Sequence, residues 1–474
     1  MMEQKNTLVV DLDGTLIKSD LLVESLFALL RKSPLMVFLV PFWLLKGKAY
    51  LKQAIANLIS IDVTLLPYNR DVLDYITHEK SKGREIVLAT ASNKKYANAI
   101  GEYLKVFDHI VASDEHINMS GGNKGVELAK QFGANQFTYA GNANIDLEVW
   151  KYASSAIVVN PSKGLLEKVG KLFTIEKAID NRPSIIKTLL KAMRIHQWVK
   201  NFLIFVPLLL SHAFMEGHYW VQAILAFISF SFCASSVYLL NDLVDLSDDR
   251  AHSTKCNRPF ASGDLDTVLG VALIPVLLIS AFCIALLLPF EFGLSLLGYY
   301  IFTIFYSFWL KRKVLIDVIS LASLYTVRII AGSLALGMMP SFWLLSFSLF
   351  IFLSLAIIKR YSELLELREN GKDKLSGRGY EANDLELLSS LGGSSGYVSA
   401  LVLALYLNSI EVVKLYSHPE YLWLICPVIL YWISRAWLIA HRGVMHDDPI
   451  VWAIRDRLSH IVGIVVAIIV VAAI

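Results

Sequence analysis

The chain has 474 residues, 55% of them hydrophobic and 18% charged, with a mean hydropathy of +0.53. That balance excludes a disordered chain and a purely soluble one, since ordinary soluble domains carry about 25% charged residues. A net charge of +3 gives no basis for nucleic-acid binding, and the four cysteines (Cys233, Cys256, Cys283, Cys426) form no CxxC pair, which points away from a disulfide framework or a thiolate zinc site.

The opening MMEQKNTLVVDLDGT lacks the basic-then-apolar order of a secretory signal, so the N-terminus is expected in the cytosol. Residues 1–180 read as a soluble α/β domain. Short β-rich runs at 7–10, 85–89, 109–112, 136–140 and 156–159 alternate with helical stretches, which predicts a parallel sheet covered on both faces. Residues 20–75 read as a helical cap. Within it, 34–45 (PLMVFLVPFWLL) is apolar but too short to cross a ~30 Å hydrocarbon core, and is expected either as a buried helix pair or as a segment on the membrane interface.

Asp11-Leu12-Asp13-Gly14-Thr15 follows the first strand, where open α/β sheets place their sites. Asp11 is a candidate nucleophile towards phosphorus, with Asp13 as its acid/base partner. Three further elements follow in order. Thr90, at a strand end, can bind a phosphate oxygen; Lys124 can neutralise it; Asp146, in Gly141-Asn142-Ala143-Asn144-Ile145-Asp146, can hold Mg²⁺ with Asp11 and Asp13. This order resembles the haloacid-dehalogenase-like (HAD) hydrolases over about residues 5–160. The resemblance implies a Rossmann-like α/β fold and phosphatase-type chemistry. One departure is Asn142, where the family usually has an acid; a neutral amide lowers the expected metal affinity.

Residues 185–474 read as an all-α membrane domain. Nine apolar stretches are expected as spans: about 198–215, 220–240, 268–289, 292–310, 314–336, 341–358, 396–415, 421–440 and 458–474. With a cytosolic N-terminus, the inward loops carry fifteen cations, among them Arg250, Lys311, Lys372, Lys374, Arg378 and Arg442, against Lys414 alone on the opposite side. The expectation is a multi-pass protein of a bacterial-type inner membrane, with the α/β domain and the charged loops in the cytosol.

Asn241-Asp242-Leu243-Val244-Asp245-Leu246-Ser247-Asp248-Asp249 ends the second stretch. Asp242, Asp245 and Asp249 fall at i, i+3 and i+7, one helical face. Three carboxylates at the end of an apolar helix call for a cation. Mg²⁺ with a diphosphate is the natural complement, and Arg250, Lys255 and Arg258 follow at once.

NDxxDxxxD at this place resembles the UbiA-type intramembrane prenyltransferases, over roughly residues 185–474. There the motif holds the Mg²⁺–diphosphate of the donor. The usual second acidic pair is incomplete: Tyr306 to Lys311 is followed by Asp317, with Leu321 where the next acid would fall. Arg194 to Asn201, Asn257 to Gly263, Tyr306…Lys311…Asp317…Arg328, and His446-Asp447-Asp448-Pro449 resemble one branch, the decaprenyl-phosphate phosphoribosyltransferases. That resemblance implies phosphoribosyl diphosphate as donor, a polyprenyl phosphate as acceptor and a place in cell-envelope biosynthesis. Asp242, Asp245 and Asp249 would be catalytic. Lys200, Asn201, Asn241, Arg250, Lys255, Arg258, Tyr306, Lys311, Asp317, Arg328 and Lys359 would bind substrate, while Arg360 reads as an interfacial anchor. A prenyltransferase acting on an aromatic or other acceptor, and a transporter or scaffold with a fused phosphatase, are the other readings.

Overall fold

The computed structural model describes residues 6–162, 164–211, 213–369, 371, 378–409, 412, 415–445 and 448–474. The chain divides into two compact units, Met1–Met193 with Tyr238–Pro275, and Arg194–Val237 with Val276–Ile474.

In the first unit six parallel strands form one sheet in the order β3-β2-β1-β4-β5-β6. They are β1 (Thr7–Val10), β2 (Ile86–Asn93), β3 (His109–Ser113), β4 (Phe137–Gly141), β5 (Ser155–Val159) and β6 (Ile175–Ile179). The period-2 rule sends Leu8 and Val10 into one core with Ile86 and Leu88, and Val9 into the other with Val87, Phe137 and Tyr139. Both faces are therefore dry, as the near-continuous apolar strands predict. The strand order reverses between β1 and β4, so the carboxyl end of β1 is the switch point where such sheets bind ligands.

The cap begins with helix Leu21–Lys32, whose N-cap Asp20 accepts from the Val23 amide and whose last turn holds Arg31 and Lys32. Two short helices follow, Pro34–Leu39 and Val40–Leu45, and then Lys48–Leu58.

The first unit also takes in 238–275, beyond the expected boundary near residues 180–185. Side-chain contacts explain this. Arg250 forms a two-pronged ion pair with Glu24 at 2.6 and 2.9 Å, both side chains about 6% exposed. Arg31 reaches Asp248 at 2.5 Å and Ser247 at 3.2 Å. Gly263 has φ +72°, and a Cβ there would come 2.5 Å from Lys18.

The second unit is helical. Helices Phe342–Glu369 and Ala382–Leu407 approach closely because Gly392 and Gly396 present no side chain; a Cβ on Gly392 would lie 2.9 Å from Ile357, and one on Gly396 3.0 Å from Ser354. The Ser354 hydroxyl uses this approach to donate to the Gly392 carbonyl at 2.7 Å.

Among the described residues six helices are long and apolar enough to span a membrane: Gly217–Val244, Thr267–Ala285, Ile316–Ala335, Phe342–Glu369, Ala382–Leu407 and Pro419–His441. Pro449–Arg455 and Arg457–Ala473, bent by 80°, make up to seven. The expected count of nine is not confirmed among the described residues. Ile195–Leu210 is a tight 3₁₀ run followed by one α-helical turn, too short to span. Phe290–Phe308 has the length of a span and carries Glu291 in its first turn, but is not among the six. Lys359 and Arg360, counted with the inward loops, lie inside a helix, while Lys372, Lys374 and Lys414 lie outside the described residues.

Candidate functional site

The carboxyl end of β1 carries Asp11, whose amide donates to the Ala140 carbonyl of β4. Its Oδ1 accepts from Lys124 Nζ at 2.6 Å, and Lys124 also donates to the Tyr139 hydroxyl at 2.9 Å. Tyr139 in turn donates to Asp146 Oδ1 at 2.9 Å. Asp13 accepts from Ser92 Oγ at 2.6 Å and from the Leu21 amide at 2.9 Å. Burial pushes Asp11 up to about 6, against the pull of Lys124, and pushes Asp13 up to about 7, with Asp20 adding to the rise.

These groups line a cavity of about 930 Å³. Lys52, Ser92, Asn142 and Arg182 stand in its wall with Asp11, Asp13, Lys124 and Asp146, and so do Gly263, Asp264, Asp266, Val268 and Leu269. Val268 and Leu269 belong to the first turn of the spanning helix Thr267–Ala285. Gly14, at φ +76°, lets Asn142 approach: a Cβ there would come 2.2 Å from its Nδ2.

Two sequence expectations change here. Thr90 is fully buried and its hydroxyl accepts from the Ser92 amide, so the hydroxyl presented to the cavity is Ser92's. Asp146 has both oxygens engaged, one by Tyr139 and the other by the Asn142 and Ala143 amides, so it braces the loop rather than presenting a ligand. Mg²⁺ needs only one or two carboxylates beside phosphate and water. Asp11, with the neutral Asn142 across from it, still fits that requirement with one negative charge fewer. Lys52 was missed because no motif marks it. It lies on a cap helix and is placed by tertiary contacts to the Ala91 carbonyl and Asn118.

The second acidic motif is also in the first unit. The Gly217–Val244 helix ends at Val244, Asp245 takes the N-cap position of Leu246–Ala251, and the helical course resumes. Asp242 and Asp249 are buried and converge on Arg258 Nη1, at 3.1 and 2.7 Å. Two carboxylates already sharing one cation fit Mg²⁺ with a diphosphate. Among the described residues, however, no group of three His, Cys, Asp or Glu side chains clusters as a metal site, and Asp245 is not part of the Arg258 pairing. Asn241 is half-buried beside Asp242, and Lys255 is exposed. Arg250 is held by Glu24 and the Ala261 carbonyl, so the structure removes it from the candidate donor cations.

The second unit contains the remaining candidates. Arg328 is buried among the rings of Phe230, Tyr299 and Tyr325, 5.2–5.6 Å from their centres. It donates to Asn201 Oδ1 at 2.9 Å, and among the described residues no ion pair neutralises it. Lys200 and Lys359 both reach Asp448, at 2.9 and 3.0 Å, and hold its carboxyl far below the ordinary range despite its burial. His446 and Asp447 lie outside the described residues. Asp317 is fully buried and bonded to Arg360, Arg378 and Tyr380, which makes it a structural counter-ion rather than an open ligand. Arg360, expected at an interface, is fully buried between Asp317 and Glu363. Tyr306 lies in the last turn of the Phe290–Phe308 helix and Lys311 in the Leu310–Arg312 turn after it, both half-buried.

Residues 203–453 match the model of the UbiA prenyltransferase family, and residues 6–126 match the NLI interacting factor-like phosphatases. The uncharacterized protein y4nM of Sinorhizobium fredii is 37% identical over 98% of this chain and 90% of its own length. Decaprenyl-phosphate phosphoribosyltransferase of Mycolicibacterium smegmatis is 28% identical over 59% of this chain and 89% of its own. A solved UbiA homologue from Archaeoglobus fulgidus, bound to GPP and Mg²⁺, is 17% identical over 60% of this chain and 97% of that one, with a TM-score of 0.44. The chain belongs to the UbiA prenyltransferase family, as a multi-pass membrane transferase carrying an N-terminal HAD-like phosphatase domain.

Proposed function

We propose that the membrane domain transfers a phosphoribosyl group from phosphoribosyl diphosphate to a polyprenyl phosphate at the cytosolic face of the membrane. The convergence of Asp242 and Asp249 on one cation carries the diphosphate part of this reading, because Mg²⁺ takes one or two carboxylates beside phosphate oxygens. Mg²⁺ held there would neutralise the departing pyrophosphate. Arg258 is 30% exposed and can turn to the diphosphate as the metal takes its place. The acceptor phosphate is already anionic, so attack on the ribose C1 needs no general base. Asp317 is occupied by Arg360, so it does not offer the second acidic site that a prenyl diphosphate donor would call for. The relative from Mycolicibacterium smegmatis supports the phosphoribosyl donor.

The HAD-like domain then removes the 5′-phosphate from the lipid-linked product. Asp11 attacks phosphorus to form an acyl phosphate, Asp13 gives its proton to the leaving alcohol, and water later releases phosphate as Asp13 takes the proton back. An Asp13 carboxyl near 7 is protonated often enough to serve as that acid. A prenyl diphosphate donor is the second reading, supported by the family to which the chain belongs.

Labelled phosphoribosyl diphosphate supplied with polyprenyl phosphate and Mg²⁺ should move label into the organic phase. Transfer from geranyl diphosphate and none from phosphoribosyl diphosphate would favour the second reading. A phosphorylated lipid product that accumulates equally in wild type and Asp11→Asn would remove the hydrolase step.

A further inference from the structure

The cap segment 34–45 takes no part in either site, and its exposure is unusual for such a sequence. None of its twelve residues is buried; Leu35 is 80% exposed, Phe38 74%, Phe42 63% and Leu45 85%. The segment is nonetheless firmly seated. Val40 and Trp43 pack inward on Leu29, Leu51, Ile55 and Ile59, which turns the other apolar side chains outward as one surface. A contiguous apolar patch of this kind marks an interaction site.

Two observations identify what covers it. The first is charge. From residue 25 to residue 61 there is no Asp or Glu, while Lys32, Lys46 and Lys48 flank the apolar run. Apolar residues rimmed by cations match the boundary between acyl chains and anionic headgroups. The second is position. Arg31 grips Asp248 and Ser247, which stand just beyond Val244, the last residue of a spanning helix. The end of a span marks the lipid–water boundary, and only three residues, each at most ~3.6 Å long, lead from Arg31 to Pro34.

We propose that segment 34–45 beds into the headgroup layer of the membrane that the chain's own helices span. It is an interfacial foot of the HAD-like domain, and the lipid surface is its partner. It lies in the interface without crossing, since twelve residues cannot span the core.

The full-length chain in nanodiscs containing phosphatidylglycerol tests this. With the native cysteines changed to alanine, an environment-sensitive dye is placed by Phe38→Cys or Leu45→Cys, and by His116→Cys as an exposed control. Nitroxide lipids labelled high on the acyl chain should quench positions 38 and 45 at least threefold more than position 116. Lipids labelled near the bilayer centre should quench them less. Equal quenching at all three positions overturns the proposal, as does stronger quenching from the bilayer centre. If the cysteine-free chain does not fold, benzoylphenylalanine at position 38 of the native chain carries the same test. A lipid adduct supports the proposal, and a dimer adduct in place of it overturns the proposal in favour of a second copy.

Discussion

Asp11 and Asp13 stand two residues apart at the edge of a parallel sheet, while Asp242 and Asp249 stand seven apart where a long apolar helix gives way to a short one. Both pairs are acidic, largely buried and accompanied by one cation, yet the cations differ in kind. Lys124 is 4% exposed and fixed between Asp11 and Tyr139; it cannot leave without stranding a buried charge. Arg258 is 30% exposed on a loop and can be displaced. A fixed counter-ion tunes a carboxylate that itself does chemistry. On the proposed reading, an exchangeable one would keep a binding site charged until metal and diphosphate arrive. The spacing of each motif reflects this: a turn at a strand end brings neighbours together, and two helical turns are needed to do so on a helix.

The largest expected effects separate the two pairs. Asp242→Asn and Asp249→Asn should each lower transfer by roughly 10²-fold or more, the scale of a lost charge-stabilising group, and leave hydrolysis of a soluble phosphomonoester intact. Asp11→Asn should do the reverse. EDTA should silence transfer in the wild type. Transfer that survives both Asp242→Asn and Asp249→Asn would break the comparison at its root. Asp245→Asn sharpens it, because full activity there would show that two carboxylates suffice.

Next is the ion pair that joins the cap to the loop after the second motif. Glu24→Lys leaves Arg250 buried opposite a like charge, and losing one partner of a buried pair costs about 3–5 kcal/mol. The melting temperature should drop, and adding Arg250→Glu should recover most of it. No recovery in the double variant would mean that the pair is not what holds 238–275 to the α/β domain. Asp317→Asn is expected to act on stability as well, by leaving the buried Arg360 with Glu363 as its one carboxylate partner. Thermal denaturation should fall while the KM for the diphosphate donor stays put. A raised KM at unchanged stability would return Asp317 to the substrate.

How far these sites were legible depends on what encodes them. DLDGT after an apolar strand places Asp11 and Asp13 from local pattern alone, and the i, i+7 spacing puts Asp242 and Asp249 on one face. Ser92 could not be separated from Thr90 by pattern. Both follow β2's apolar run two residues apart, and the backbone bend at Thr90–Asn93 decides which hydroxyl faces the cavity. Arg360 looked like an interfacial cation because its partner, Asp317, is 43 residues away. Asn201, by contrast, was singled out with its neighbours, yet its role in holding Arg328 comes from two helices no local pattern pairs. The expected span count departs from the helices seen where hydropathy does not register geometry, as in the 3₁₀ run at Ile195–Phe205.

The smallest predicted effect tells an acid-induced loss of hydrolysis through titration of the site from one through unfolding. Glu176 on β6 sits against Arg84 of the neighbouring structure, with Tyr75 and Thr138 donating to it as well. Burial alone would raise its carboxyl, but these partners more than offset that and hold it at about 2. A depressed carboxylate stabilises the fold fully above its ordinary value near ~4.3, and that stability is lost as pH falls from there towards 2. At ~1.4 kcal/mol per unit, the partly exposed pair is worth about 2 kcal/mol after screening. Loss of hydrolysis between pH 7 and 5 therefore belongs to Asp11, which must be ionised to attack phosphorus, whereas loss below about 4.5 includes unfolding of the sheet. Glu176→Gln should lower the melting temperature of the α/β domain at pH 7 and flatten its decline between pH 4.5 and 3, as followed by near-ultraviolet circular dichroism. If wild type and variant decline in parallel over that interval, the acid-sensitive bond is elsewhere, and the low-pH limb of the activity profile has to be assigned again.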